Sequence, residues 1–433
     1  MSKEDCVLTL RSDSITFLTR FDSSKVGIQP AMKPTKRSLI STILPYVVAA
    51  FCAIGALPTP IQAQDNPFVV GFVLVGPQQD KGWNEAQFDA TTYITSKIPN
   101  VKTIILDKLN PADRPNVTLE QVVDNMVSQG AKLIFTTSDD FGDDTIKAAQ
   151  KYPDVTFIHT SGDAVLAGTA PKNLGNVMGR EEYMKMVGGC AAALATQTNS
   201  IAYLGPLINF ETRRLTSSAY LGAKYCFSTY RKLDPATLKF EVKWIGFWFN
   251  IPGVTLDPND VAKSFFDGGA DVVMSGIDTP EALNVAKQYV DKGSKVLAVA
   301  YDYVDGCSPA PAVCLGVPYF NWGPSYTKIV QAVQAGTWKQ SWDWNGPDWT
   351  NINSPDTSNV GFTFGKALTA DQTTTLNTFI KGLADGSINL LSGPINFQDG
   401  TPFLKSGETA TDKQLWYLPQ LLAGMKGDSV AKK

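Results

Sequence analysis

The chain has 433 residues, of which 43% are hydrophobic and 18% are charged, and its formal net charge at pH 7 is -3. This composition excludes a disordered chain and a strongly basic nucleic-acid-binding protein. The length exceeds what one hydrophobic core usually organises. The sequence therefore predicts a folded protein with two lobes that binds no nucleic acid.

The N-terminal region has the layout of a secretory signal. Residues 33–37 carry three basic side chains, an apolar run extends from Leu39 to Leu57, and the small residue Ala63 follows two prolines. A positive, then an apolar, then a small-residue region is typical of a cleaved signal peptide. We therefore predict an exported, periplasmic or extracellular protein, with cleavage near Ala63 and residues 1–63 as leader and signal.

Other interpretations of this region are weaker. The residues before Met32 form a polar leader that a secretory signal does not need, so we expect the natural start at Met32. The apolar run is long enough to be an uncleaved anchor, but Pro45 interrupts it. Phe51 is too bulky for the residue that precedes a lipid-modified cysteine, so Cys52 does not predict a lipoprotein.

Four cysteines follow the predicted cleavage site. An oxidising compartment permits disulfides among them, and four cysteines allow three pairings. The local pairing joins Cys307 to Cys314 across a proline-rich loop. Cys190 and Cys226 lie in helical patterns, where buried free thiols are an equally good interpretation.

Short β-branched runs alternate with helix-sized segments from residue 68 onward, which is typical of βαβ units that feed parallel sheets. The first series of predicted strands covers 68–75, 103–106, 132–136 and 156–159. The second series covers 201–204, 240–245, 271–275 and 295–300. Two later runs, 312–317 and 360–364, predict strands that return after the second series, so the chain should cross between lobes more than twice.

Acidic and aromatic residues recur in the loops that follow these strands, and ligands of open parallel sheets bind where such loops leave the sheet. Aromatic rings cover the faces of a flat heteroaromatic ligand, and carboxylates or amides accept hydrogen bonds from its edge. This pattern favours a purine. The candidates for the ring faces are Trp83 and Phe141, and those for the edges are Asn84, Asp139, Asp140, Asp278 and Asp302.

Catalytic and metal sites find little support. The chain has one histidine, His159, which excludes a multi-histidine metal centre. Its position at the end of a predicted strand gives little support for a histidine-based catalytic triad. The acidic pairs after the third strand lack the spacing of a calcium loop, and no glycine-rich phosphate loop follows a strand. We predict no enzyme, no metal and no cofactor.

Several loops together resemble the basic membrane protein (BMP) family of solute-binding proteins. The resemblance runs in order over nearly all of residues 67–400. It rests on Phe72-Val-Leu-Val-Gly-Pro77, Asp80-Lys-Gly-Trp83, Phe135-Thr-Thr-Ser138, Asp278-Thr-Pro280 and Asn321-Trp-Gly-Pro324. It implies a type I periplasmic-binding-protein fold, capture of purine bases or nucleosides, and delivery to an ABC permease.

The chemistry of the loops and the resemblance together predict a set of ligand-binding residues. These are Asp80, Trp83, Asn84, Asp139, Phe141, Trp248, Phe249, Asp278, Asp302 and Trp322. One feature departs from the nucleoside receptors of the family, because no lysine stands near Asp302 along the chain to partner an acid that binds ribose. The sequence therefore favours a free base over a nucleoside as the ligand.

The expected architecture is α/β, with two Rossmann-like lobes joined by a multi-strand hinge. Lobe 1 covers residues 64–175 and about 308–345, lobe 2 covers 176–307 and about 346–400, and 401–433 form a C-terminal extension whose part beyond Gly424 is frayed. We expect a monomer. Alternative functions are a sensory protein for a membrane receptor and a nucleoside-processing enzyme on the same fold.

Overall fold

The structure is a computed structural model that describes residues 66–431. The predicted signal peptide, the cleavage near Ala63 and the start at Met32 lie outside these residues. Within 66–431, no helix combines the length and the apolar character that crossing a membrane requires.

The elements are numbered in chain order. The strands are β1 (Phe68–Leu74), β2 (Val101–Leu106), β3 (Ala131–Thr137), β4 (Thr156–His159), β5 (Leu174–Gly179), β6 (Ser200–Gly205), β7 (Lys239–Trp244), β8 (Val272–Ser275), β9 (Leu297–Val299), β10 (Cys314–Phe320), β11 (Trp342–Asn345), β12 (Val360–Phe364), β13 (Ile395–Asn396), β14 (Pro402–Leu404) and β15 (Met425–Lys426). The helices are α1 (Trp83–Lys97), α2 (Leu119–Ser128), α3 (Gly142–Lys151), α4 (Ala164–Ala167), α5 (Glu182–Ala195), α6 (Phe210–Thr229), α7 (Pro258–Asp267), α8 (Glu281–Asp291), α9 (Gly323–Gln334), α10 (Ala370–Ala384) and α11 (Asp412–Trp416).

Two large sheets carry the two lobes. The first sheet has the order β11-β5-β4-β3-β1-β2, and all of its neighbouring strands are parallel. The second has the order β12-β10-β9-β8-β6-β7-β15, and only β12 runs antiparallel to its neighbour. We call the part built on the first sheet lobe 1 and the part built on the second lobe 2.

The apolar content of the strands explains why they form buried parallel sheets. In β1, six of the seven residues of the run FVVGFVL are buried. Helices cover both faces of such sheets, so their strands are continuously apolar and do not alternate. Helix starts are equally well defined by the sequence: Thr118 and Thr369 form capping boxes at α2 and α10 with the glutamines three residues later.

The chain passes between the two sheets three times within the described residues. It leaves lobe 1 after β5, returns to it for β11 and crosses again before β12. These three connections form the hinge. The predicted crossing between lobes more than twice is therefore confirmed.

Two expected boundaries were wrong. The range 308–345 was assigned to lobe 1, but β10 pairs with β9 and β12 in the second sheet. The disulfide Cys307–Cys314 ties the connection after β9 to the first residue of β10, and the chain stays in lobe 2 until β10 is complete. Conversely, residues 176–179 complete β5 in the first sheet instead of beginning lobe 2.

The C-terminal residues form part of the fold, so the expectation of a frayed tail beyond Gly424 was also wrong. Met425 and Lys426 pair with β7 and extend the second sheet. The indole Nε1 of Trp244 donates to the carbonyl oxygen of Asp428 at 2.8 Å, which holds the chain beyond the strand. Cys190 and Cys226 form a disulfide between α5 and α6.

Candidate functional site

A cavity with about 300 Å³ of empty space lies between the lobes, at the carboxyl ends of their strands. Lobe 1 contributes Val75, Trp83, Ser138, Asp139 and Ser161 to its lining. Lobe 2 contributes Glu211, Trp248, Asp278, Tyr301 and Asp302. Seven different strand-end loops meet here, as expected for a ligand site in open parallel sheets.

The loop after β1 is built around the buried carboxylate of Asp80. One oxygen of Asp80 accepts hydrogen bonds from the amides of Gly82 and Glu85, and the other accepts from the amide and the side chain of Asn84. Asn84 in turn accepts a hydrogen bond from the amide of Gly76 at 2.9 Å. Burial raises the pKa of Asp80 to about 6. Asp80 and Asn84 therefore shape the loop and start α1, and neither lines the cavity.

Trp83, the first residue of α1, is held firmly at the cavity wall. Its indole Nε1 donates to the carbonyl oxygen of Thr137 at 2.7 Å. Its ring meets the rings of Phe320 and Trp322 edge to face, with centroid distances of 5.3 and 5.2 Å. Such a fixed ring is a suitable surface on which a flat ligand can stack, because little side-chain freedom is left to lose.

Asp302 is an unusual residue in both backbone and charge. Its φ is 70°, a left-handed conformation that is uncommon outside glycine and often found at functional sites. The side chain is 1% exposed, and the hydroxyl group of the neighbouring Tyr301 interacts with its carboxylate. Burial raises its pKa well above the usual range, and the positive charge of Lys185 opposes that effect.

Lys185 reaches this region from α5, far from Asp302 along the chain. Its Nζ donates to the carbonyl oxygen of Ser275 at 3.0 Å and lies 2.9 Å from the ring centroid of Tyr301. Burial lowers its pKa to about 7. A lysine is therefore present beside Asp302, although none is near it in sequence.

The other carboxyl groups of the cavity come from both lobes. Burial raises the pKa of Asp278 well above its usual range, and the negative charge of Asp302 adds to the effect. Burial also raises the pKa of Asp139, whose Oδ2 accepts a hydrogen bond from Asn209 across the cleft at 3.0 Å. Within residues 66–431, no group of three or more His, Cys, Asp or Glu side chains is placed to hold a metal ion.

The lobes touch directly at Gly82 and Asp278. A Cβ atom at Gly82 would lie 1.7 Å from the carbonyl oxygen of Asp278. Tyr303 of lobe 2 also donates to Asp89 of α1 at 3.1 Å. The cleft is thus closed, and glycine at position 82 allows the two loops to meet.

Closure should be linked to proton uptake at Glu211. Burial raises the pKa of this carboxyl group from 4.5 to about 7. Arg214 on the same helix and a hydrogen bond from Ser161 of lobe 1 lower the pKa, whereas the negative charges of Asp139 and Glu182 raise it further. In an open cleft Glu211 should titrate near its ordinary value. Protonation of Glu211 then stabilises the closed form fully below about pH 4.5, and this stabilisation is lost as the pH rises through about 7. Between these two values the ratio of closed to open protein falls by up to about tenfold per pH unit for one proton.

Small-angle scattering of the ligand-free protein tests this link. The radius of gyration should decrease as the pH falls from 8 to 5, and Glu211→Gln should flatten the dependence. A radius that stays constant over this range in the unsubstituted protein would contradict the link.

The structure brings five of the ten predicted ligand-binding residues together at the cavity: Trp83, Asp139, Trp248, Asp278 and Asp302. The other five do not line it. Asp80 and Asn84 hold the first loop. Phe141 is packed into the core of lobe 1, and Phe249 meets Phe247 edge to face. Trp322 lies behind Trp83 and stacks on Phe320 with a centroid distance of 4.8 Å.

Sequence reasoning missed Val75, Ser138, Ser161, Glu211 and Tyr301 of the lining, and Lys185 behind it. Applying the strand-end rule to β6 would have found Glu211, because it follows in the first turn of the next helix. Lys185 gave no such signal, since it lies inside a helix, one turn beyond its start.

Comparison with known proteins identifies the family. The sequence model of the family described as Bmp, ABC transporter substrate-binding protein PnrA-like, matches residues 68–346. The chain belongs to this Bmp family. It is 30% identical over 357 residues to a purine-binding protein of Brucella abortus (strain 2308), a match that covers 82% of this chain and 92% of that protein.

Solved structures support the same fold. A solute-binding protein of an ABC transporter system from Aeropyrum pernix K1 has a TM-score of 0.59 at 13% identity, covering 82% of this chain and all of that one. One from Conexibacter woesei DSM 14684 has a TM-score of 0.54 at 17% identity, covering 74% and 98%. The predicted type I periplasmic-binding-protein fold is confirmed.

Membership of the Bmp family defines the general role of the chain. It is a substrate-binding protein that captures a small solute for an ABC importer, as the sequence predicted. Proteins of this family act outside the cytoplasmic membrane. In type I binding proteins, closure of two lobes about a hinge encloses the ligand.

Proposed function

We propose that this Bmp-family protein captures a purine ring, as the free base, in the cavity between its lobes and delivers it to an ABC permease. The supporting observation is the lining itself, in which the rings of Trp83, Trp248 and Tyr301 stand beside the carboxyl groups of Asp278 and Asp302. Rings cover the faces of a purine, and carboxyl groups bind its edge. The similarity to a purine-binding protein supports the same ligand.

A free base fits the closed cavity better than a nucleoside does. The empty space at this site, about 300 Å³, is less than half of that in each of four grooves elsewhere on the described residues, which hold about 670 to 920 Å³. Lys185 lies beside Asp302 but does not line the cavity, and its Nζ donates to the carbonyl oxygen of Ser275 and faces the ring of Tyr301. A ribose would therefore meet a narrow cavity and no lysine in its lining.

The export route forms part of the same proposal. The signal layout ahead of Ala63, without the residue pattern of a lipoprotein, indicates a protein that is released after cleavage. We propose that it acts as a freely diffusing monomer that meets its permease at the membrane.

Titration with purines tests the ligand. Adenine, guanine, hypoxanthine, xanthine and the corresponding nucleosides are added to the purified protein while tryptophan fluorescence and heat are followed. We expect at least one base to bind at micromolar concentration or below, and each nucleoside to bind more weakly than its base. Absence of binding by every purine would overturn the ligand, and a nucleoside that binds more tightly than its base would overturn the preference.

A further inference from the structure

A second recess lies beside the hinge, and we call it the hinge groove. It holds about 670 Å³ of empty space and shares no lining residue with the cavity between the lobes. Residues 321–323 of its lining belong to the connection from β10 to β11, and Asn353 and Pro355 belong to the connection from β11 to β12. Helix α1 of lobe 1 and Tyr303 of lobe 2 supply further parts of the wall. The groove is therefore built from two of the three hinge connections and from both lobes.

Two hydrogen bonds join the walls of the hinge groove. Tyr303 of lobe 2 donates to Asp89 of α1 at 3.1 Å. Further along α1, Tyr93 donates to Asp356 at 2.7 Å, which holds the connection from β11 to β12 against the same helix. The first bond crosses between the lobes, so the groove has this shape only while lobe 2 lies against α1.

Aromatic rings and one carboxylate give the hinge groove its chemical character. The rings of the lining are Tyr93, Tyr303, Tyr319, Phe320 and Trp322. Asp89 is the one charged residue of the lining among the described residues, so no lysine, arginine or histidine of this part of the chain belongs to it. Burial raises the pKa of Asp89 and the hydrogen bond from Tyr303 lowers it, but the residue is exposed and keeps its charge at pH 7. Aromatic faces attract cations, and a carboxylate pairs with them.

Two lysines at the edge of the groove show that cations lie against these rings. The Nζ of Lys81 is 5.2 Å from the ring centroid of Tyr303. The Nζ of Lys97 is 5.1 Å from the ring centroid of Tyr93. Both ammonium groups are paired with carboxylates outside the lining, at 2.9 and 2.7 Å, and neither forms an ion pair with Asp89. Asp89 is therefore left to pair with a cation from solution.

We propose that the hinge groove is a second binding site, which takes an organic cation with an aromatic or apolar body and thereby favours the closed form. The rings cover the body of the cation, and Asp89 pairs with its charge. Because both lobes supply the wall, the cation should bind the closed form more tightly, and a ligand shifts a conformational equilibrium by that difference in affinity. Binding at this site does not depend on which solute the cavity between the lobes captures.

Benzyltrimethylammonium, phenylacetamide and phenylacetate test the class of ligand, because they share a phenyl ring and are a cation, a neutral molecule and an anion. Calorimetric titration of the purified protein at pH 7, without purine, should give the tightest binding for the cation, by at least about fivefold over the amide. The anion should bind most weakly. Equal affinity for the three, tighter binding of the anion, or absence of cation binding at millimolar concentration would overturn the proposal.

Asp89→Asn tests the position of the cation, because asparagine keeps an oxygen that accepts from Tyr303 and removes the charge. The affinity for benzyltrimethylammonium should fall by at least about fivefold. Asp144→Asn removes an exposed carboxylate of α3 that pairs with Lys147, and this control should leave the affinity unchanged. Binding that is weakened by Glu211→Gln and not by Asp89→Asn would place the cation in the cavity between the lobes and overturn the proposal.

Tyr93→Leu tests the contribution of the rings and serves in place of Asp89→Asn if that variant does not fold. Loss of one aromatic face should weaken binding of the cation by about two- to fivefold. Tyr152→Leu is the matched control, because Tyr152 also donates to an aspartate at 2.7 Å and has a lysine 5.5 Å from its ring centroid, but lies outside the groove. Equal affinity in Tyr93→Leu and Tyr152→Leu would contradict the assignment of the cation to these rings.

Small-angle scattering measures the effect of the cation on closure. At pH 8, where ionised Glu211 no longer favours the closed form, saturating benzyltrimethylammonium should decrease the radius of gyration of the purine-free protein. Asp89→Asn should show a smaller decrease at the same cation concentration. An unchanged radius in the unsubstituted protein would overturn the effect on the hinge.

Discussion

Gly82→Ala should weaken ligand binding by about 10- to 100-fold while leaving both lobes folded, since overpacking that forces a backbone shift costs about 1–3 kcal/mol. The added Cβ would lie 1.7 Å from the carbonyl oxygen of Asp278, which is a backbone atom of the opposite lobe. The clash cannot be relieved by rotating a side chain. It exists only when the cleft is closed, so the open form should be unaffected.

Calorimetric titration with the tightest-binding purine measures this loss, and circular dichroism checks the fold. Gly142→Ala is a suitable control, because it lies in the same lobe and its added Cβ would come no closer than 3.4 Å to His159. That variant should bind like the unsubstituted protein. Full affinity in Gly82→Ala would show that ligand capture does not require the contact between Gly82 and Asp278.

Trp83→Ala should cost about 1–3 kcal/mol of binding, by analogy with the stacking of bases on aromatic side chains. Trp83 is 5% exposed and is fixed by Thr137, Phe320 and Trp322, so its loss removes one face of the site and leaves space behind it. Trp83→Phe keeps an aromatic face but loses the N–H, and its affinity should lie between those of the other two proteins.

Affinity and thermal stability are measured together for this series, because Trp83 also contributes to the core. Trp349→Ala is the control: this tryptophan is half-buried, packs edge to face on Tyr183 and does not line the cavity. It should lower stability without changing affinity. If Trp83→Ala binds as tightly as the unsubstituted protein, Trp83 does not hold the ligand.

The fold was predictable because its strands are continuous apolar runs that contrast with their surroundings. Residues 156–159 were placed as the structure has them, and the other strands of both series differ by one to three residues at their ends. Sheet membership was harder to predict. Whether β10 belongs to the first or the second sheet depends on pairing with β9 and β12, which local sequence does not record.

The candidate site was predictable where strand-end loops supply it and unpredictable where packing decides which way a side chain points. Trp83, Asp278 and Asp302 follow or flank strand ends, and all three line the cavity. Phe141 occupies a similar position in sequence, yet it is buried in the core of lobe 1. Asp80 illustrates a second limit, because the same carboxylate can bind a ligand or cap a helix, and here four backbone and side-chain donors engage it.

A crystal structure of the protein grown with its tightest-binding purine base is the most direct test of the account. We predict a flat ring in the cavity between Trp83 and Trp248, with its edge within hydrogen-bonding distance of at least one of the carboxyl groups of Asp139, Glu211, Asp278 and Asp302. The lobes should be closed, with Gly82 against Asp278. A base bound elsewhere, or a closed cavity without a ring at a saturating concentration of that base, would contradict the account.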